Sequence, residues 1–168
     1  MLLQLLIPTI YYIFFLFIIS NKHFFKSASI SKNILILGFS LKAFSALIFG
    51  YLFKSGILTG NDTLMYFNDG NIIYSSLREN PLNYLQLVFG RNNFYPIPAK
   101  LLPYINDMGF WFDNSNYFLV RINAFIRLFS FGVYNAHAVV FSFLSFVGIY
   151  NIYLFFEKSH ATMMPHPD

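Results

Sequence analysis

The sequence predicts an all-α, multi-pass transmembrane protein: three membrane spans, with further juxtamembrane helices in a long external loop. Three observations carry that reading. Hydrophobic residues make up 57% of the 168 residues and charged ones only 11%, against roughly 45–50% and 25% in an ordinary soluble domain. Three apolar runs have the length of a bilayer crossing. The charge that does occur is unevenly placed: five of the seven acidic residues, Asp62, Asp69, Glu79, Asp107 and Asp113, lie between the second and third runs. The same numbers exclude a soluble globular domain and a disordered chain. Cysteine is absent, which removes disulfides and thiolate metal sites. The four histidines are scattered and predict no metal site. No basic cluster is built to follow a nucleic-acid backbone, so nucleic acid is not an expected partner.

The first run, residues 2–19, is uncharged. At about 1.5 Å per residue its 18 residues reach roughly 27 Å, close to the hydrocarbon thickness. A signal peptide is the competing reading, but no Lys or Arg precedes Lys22 and the run ends in bulky residues. A retained helix fits better. The link that follows carries Lys22, Lys26 and Lys32 and no acid. The second run covers residues 34–53 and is broken by one charge, Lys42; the third covers residues 133–156. The positive-inside rule puts the lysine link in the cytoplasm. The N-terminus and the loop 55–116 then lie outside, and the C-terminus lies inside, in a cell (inner) membrane.

That loop is rich in Tyr, Phe, Leu and Ile, so it is expected to pack as helices. Residues 63–77 read as a helix with a break near Gly70. Asn80-Pro81 ends it, and residues 82–89 form a second short helix stopped by Gly90. Tyr95-Pro96-Ile97-Pro98 is expected to be extended or turned. Residues 117–131 are apolar but carry Arg121 and Arg127, each costing roughly 2.5–3.5 kcal/mol at a bilayer centre. At helical spacing Asn116, Asn123, Arg127 and Ser130 form one stripe. This suits an interfacial helix with that polar stripe facing water and Phe118, Leu119, Phe125, Ile126 and Phe129 facing lipid. A short fourth span is the alternative.

The loop opens with Asn61-Asp62-Thr63-Leu64-Met65-Tyr66-Phe67-Asn68-Asp69-Gly70. On a helix Asp62, Tyr66 and Asp69 share a face, with the two acids about 10 Å apart along the axis. That is too far for both to hold one metal. A single carboxylate acting as general base is the chemical reading; helix capping by Asn61 or Asp62 is the structural one. This segment after an apolar helix, the long loop, and Ser130-Phe131-Gly132-Val133-Tyr134 running into a further span resemble the N-terminal part of a GT-C superfamily glycosyltransferase of the Bacteroidetes type.

The resemblance implies transfer of a sugar from a polyprenyl-phosphate carrier to a glycan or lipid acceptor outside the membrane. An acid of the first external loop, here Asp62, would deprotonate or orient the acceptor, in some members with a divalent cation. Tyr66 and Asp69 would support it. Many members carry two adjacent acids at that place. Here Asn61 and Thr63 flank Asp62, which weakens the case for a metal, and an extra helix precedes the loop-bearing one.

Cations for a lipid phosphate are sought among Arg91, Arg121, Arg127 and Lys42, with snorkelling to headgroups as the structural reading for each. Lys42 sits in a run where Gly38, Ala46 and Gly50 recur at four-residue spacing. That predicts a helix partner for residues 34–53, since the three spans contain no acid. The 168 residues are accordingly expected to be part of a larger enzyme and inactive alone. A small non-catalytic membrane subunit, or a fragment of a transporter or flippase, is the alternative.

Overall fold

In a computed structural model, residues 2–26, 30–60, 62–90 and 96–163 are described, with side chains to residue 159. The described chain is helical without strands. Its α-helices are α1 (Leu2–Asn21), α2 (Lys32–Lys54), α3 (Asp62–Glu79), α4 (Pro81–Phe89), α5 (Leu102–Asp107), α6 (Asn114–Ser130) and α7 (Tyr134–Met163). Short 3-10 turns cover His23–Phe25 and Ala99–Leu101. The chain forms two compact units: Met1–Leu52 with Ala138–Asp168, and Phe53–His137.

The first unit joins α1, α2 and most of α7 through aromatic rings. Phe15 stacks on Phe143 with centroids 4.1 Å apart, and Phe39, fully buried, meets both edge-on at 6.2 and 5.9 Å. Tyr12 stacks on Phe39, and its hydroxyl shares a 2.7 Å hydrogen bond with Ser40. The outer faces are as apolar as the inner ones: Leu5, Ile13 and Phe17 on α1, Leu37, Leu41 and Phe44 on α2, and Leu144, Ile152 and Phe155 on α7 are all exposed. A helix in water keeps its apolar residues to one stripe; helices apolar all round need an apolar solvent. Three helices, Leu2–Asn21, Lys32–Lys54 and Tyr134–Ser159, are long and apolar enough to cross a membrane. The protein is an all-α membrane protein.

The second unit is built on α3 against α6. Gly70 lies at their closest approach, where an added Cβ would stand 2.8 Å from Asn123 Cβ and 3.0 Å from the Ala124 backbone nitrogen. Ile73, Leu87, Leu101, Trp111, Tyr117 and Val120 fill the core around that contact. Hydrogen bonds from ring hydroxyls tie the helices: Tyr117 donates to the Leu87 carbonyl at 2.9 Å, and Tyr104 donates to Glu79. Asn80 caps α4, its side chain accepting from Leu82 N–H at 2.9 Å, with Pro81 in the first turn.

Two sequence expectations are corrected here. α3 runs unbroken through Gly70, because the glycine serves helix–helix approach and not a bend. The α6 polar stripe faces protein and not water, while the three phenylalanines lie on the outer face as expected. Asn123 and Ser130 are buried and Arg127 is half-buried, while Phe118, Phe125 and Phe129 are exposed. Asn123 and Ser130 pack inward because His137 supplies their hydrogen bonds. The α5 helix and its preceding 3-10 turn lie in a stretch that the sequence left unassigned.

The Gly70 contact yields a direct expectation. Gly70→Ala forces backbone apart at a point where no flexible side chain can yield. The second unit should lose about 1–3 kcal/mol, read as lower protection of α3 and α6 amides in hydrogen exchange, with the first unit unchanged.

Candidate functional site

Asp62 sits in the first turn of α3 and is exposed. The free N–H groups and dipole of that turn favour a carboxylate. It makes no hydrogen bond or ion pair with a described residue. One turn further, Tyr66 is half-buried, tilted against the Phe110 ring at 4.9 Å, and donates to Asn116 Oδ1 at 2.5 Å. Burial first, then the charges of Asp62 and Asp113, push its phenol above the ordinary range. Tyr66 therefore stays protonated, its one proton is given to Asn116, and its oxygen can still accept.

Asn116 passes the network on, its amide donating to Asp113 Oδ2 at 2.7 Å. Asp113 caps α6, Oδ1 accepting from the Ser115 and Asn116 backbone at 3.1 Å each. Those bonds, led by the Asn116 backbone N–H, hold its carboxyl below the ordinary range. Nearby, the Tyr134 hydroxyl donates to Thr63 Oγ1 at 3.2 Å, and Lys54 Nζ stands 5.8 Å from the Tyr134 ring centroid.

Asp69, two turns along α3, has a different setting. It is buried, Oδ1 accepting from Gly109 N–H at 3.2 Å and Oδ2 from Phe110 N–H at 2.9 Å. Burial raises its carboxyl above the ordinary range, and the two backbone bonds only partly oppose this. Its oxygens hold the 109–110 turn against α3. Of the three residues picked for one face, Asp62 and Tyr66 thus share an accessible site, and Asp69 fixes the turn beside it.

The cations separate likewise. Arg121 donates to the Gly90 carbonyl and lies over the Tyr117 ring at 4.8 Å, tying α6 to the end of α4. Arg127 lies over the Tyr74 ring at 5.4 Å. Lys42 is half-buried on α2 in the first unit. Arg91 lies outside the described residues, as does Asn61.

The sequence did not single out a buried network on the inner face of α6. His137 Nδ1 is 2.9 Å from Asn123 Oδ1, and Nε2 is 2.7 Å from Ser130 Oγ. The Asn123 amide nitrogen donates to Leu119 O, so Oδ1 accepts and His137 Nδ1 carries the proton. The order serine, histidine, asparagine is that of a nucleophile, its base and the orienting group. With exposures of 0%, 3% and 4%, however, the three are sealed from any substrate. They brace α6 against the first turn of α7. Spacing could have hinted at this, since Ser130 and His137 flank the Phe131-Gly132 corner, where both residues adopt positive φ.

A divalent cation fits this donor set poorly. Asp69 and Asp113 spend their oxygens on backbone and amide N–H groups, leaving Asp62 as a single carboxylate. No group of three or more metal-ligating side chains gathers among the described residues. Comparison with protein families, curated proteins and solved structures gives no match for this chain.

Asp69→Ala orphans two backbone N–H groups and should cost the second unit about 1–3 kcal/mol. A pH effect accompanies it. A carboxyl raised on folding contributes stability below its unfolded pKa, about 4, and loses it as pH rises through the raised folded value. Thermal unfolding of the wild type should carry that decline from about pH 4 upward. Asp69→Asn should lack this component.

Proposed function

We propose that the chain is the N-terminal portion of an integral membrane glycosyltransferase of the GT-C type, moving a sugar from a lipid-phosphate carrier to an acceptor outside the membrane. The observation that carries the reading is Asp62: an exposed carboxylate with no described partner, at the head of a helix that begins eight residues after an apolar span ends. Asp62 serves as the base that takes the acceptor hydroxyl proton. Tyr66, its one proton given to Asn116, positions the acceptor by offering its phenol oxygen to a substrate hydroxyl one turn away. Asp69 supports both by fixing the 109–110 turn. The phosphate of the donor falls to the cations Arg91, Arg121, Arg127 and Lys42; among the described arginines of this set, Arg127 has two buried donors without a partner and Arg121 one. No step is routed through a metal.

In this reading the lysine-bearing link around Lys22 and Lys26 faces the cytoplasm of a cell (inner) membrane. The second unit and the N-terminus face outward, and the C-terminus faces inward. A non-catalytic subunit is the second reading, and a fragment of a transporter or flippase belongs with it. It is favoured by Gly148 of α7, whose missing Cβ would meet no heavy atom within 4 Å and so leaves room for another helix.

Asp62→Asn in the full-length enzyme should lower glycan transfer by about 100-fold or more, the range of a lost general base, at equal expression. Unchanged transfer removes Asp62 from the mechanism. Topology is checked separately, since the chain has no cysteine. A Ser75→Cys variant should react with a membrane-impermeant maleimide in intact cells, and a Lys26→Cys variant only after permeabilisation. The reverse pattern inverts the orientation.

A further inference from the structure

Arg127 stands apart from the other cations of the second unit. Its Nε and Nη1 are buried and have no hydrogen-bond partner. No carboxylate pairs with it among the described residues. The neighbouring charge that acts on it is a like one, Arg78, exposed near the end of α3. It also lies over the Tyr74 ring and against Gly132. A guanidinium with idle buried donors and no acid is unfavourable unless an anion compensates it.

The corner that holds the group is shaped for it. Gly132 has φ +76°, and a Cβ there would fall 1.3 Å from Arg127 Nη1. Glycine is thus required twice, by the backbone and by the guanidinium lying over it. The place in the chain is equally specific. Arg127 is in the last turn of α6, seven residues before Tyr134, where an apolar span begins. Phe125, Phe129 and Phe131 around it are exposed, Phe131 at 80%. Exposed phenyl rings at the mouth of a span face the acyl side of the headgroup boundary. A fork of N–H donors at that depth, without an acid, matches phosphate oxygens.

We propose that Arg127, aided by Arg78, binds the phosphate of an anionic membrane phospholipid at the α6–α7 corner, with Phe129 and Phe131 against its acyl chains. This site shares Arg127 with the donor-phosphate cations proposed above, but it needs only the bilayer's own lipid, so its test does not depend on sugar transfer. Arg127 supplies the planar fork and Arg78 the longer-range charge. Gly132 keeps the fork flat against the backbone.

The test is native mass spectrometry of the full chain in detergent, titrated with phosphatidylglycerol, phosphatidylcholine or inorganic phosphate. The wild type should retain phosphatidylglycerol in preference to phosphatidylcholine. Arg127→Met should reduce that retention about tenfold, and Arg127→Lys, which keeps charge without the fork, by less. Gly132→Ala leaves every charge in place but displaces the guanidinium, and should reproduce the loss. Lys22→Met, at an exposed position in the first unit, should change nothing. Circular dichroism confirms folding of each variant. Unchanged retention in a folded Arg127→Met protein overturns the site. So does an equal loss in Lys22→Met, which would mark general surface charge. Competition by inorganic phosphate as strong as by phosphatidylglycerol overturns the lipid as ligand.

Discussion

The second unit depends on how closely α3 approaches α6 at Gly70. Without a side chain at that position the two backbones come within a Cβ contact of each other, and everything of chemical interest is arranged around that crossing. On the near side it brings Tyr66 to Asn116 and Asp69 to the 109–110 turn. On the far side it seats Asn123 deep enough to meet His137. A residue of any size at Gly70 would widen the crossing and loosen both ends together. Tightly packed interiors transmit such displacements and do not absorb them.

Polarity in this molecule is managed in two ways. In the first unit it is sparse: the buried Tyr150 hydroxyl has no partner, Tyr12 bonds Ser40, and Ser40 and Ser45 return their protons to carbonyls one turn back. This is the economy expected where no water can satisfy an open group. In the second unit polar side chains are used as struts. Asp69, Asp113, Asn116, Asn123, Ser130 and His137 each bridge segments that are distant in sequence or cap a helix. Against that background, groups left without partners are informative. Asp62 is open to solvent, and Arg127 keeps two buried donors idle. These are the positions at which the fold has left room for something other than itself.

Much of this was legible in the residues. Residues 2–19, 34–53 and 133–156 correspond to helices of the structure because a crossing length of uncharged residues has few alternative uses. The short helix ending at Gly90 and the extended Pro96–Pro98 stretch followed from proline and glycine chemistry. Asp62 at a helix start followed from its place after an apolar run. The inward turn of the α6 stripe was not legible. An amphipathic pattern reports that a helix has two faces; it does not say which face meets water, lipid or protein. Asn123 and Ser130 go inward because His137, 14 and 7 residues away, supplies their hydrogen bonds. That pairing exists only once the Phe131-Gly132 corner has folded back.

The sequence by itself therefore determined solvent and class. An all-α chain with three bilayer-length apolar helices follows from composition and run length, because burying or exposing that much apolar surface leaves few choices. Only the tertiary structure decided the roles of individual polar residues. Asp62 and Asp69 are the same residue type seven positions apart on one helix, yet one is free in solvent and the other is spent on two backbone amides. Arg121 and Arg127 differ in degree: Arg121 is tied to the Gly90 carbonyl and leaves one buried donor, Nε, unpartnered, and Arg127 leaves both Nε and Nη1 unpartnered. The reason is that hydrogen bonding depends on which groups lie within about 3 Å, and that distance is set by contacts between segments far apart in the chain.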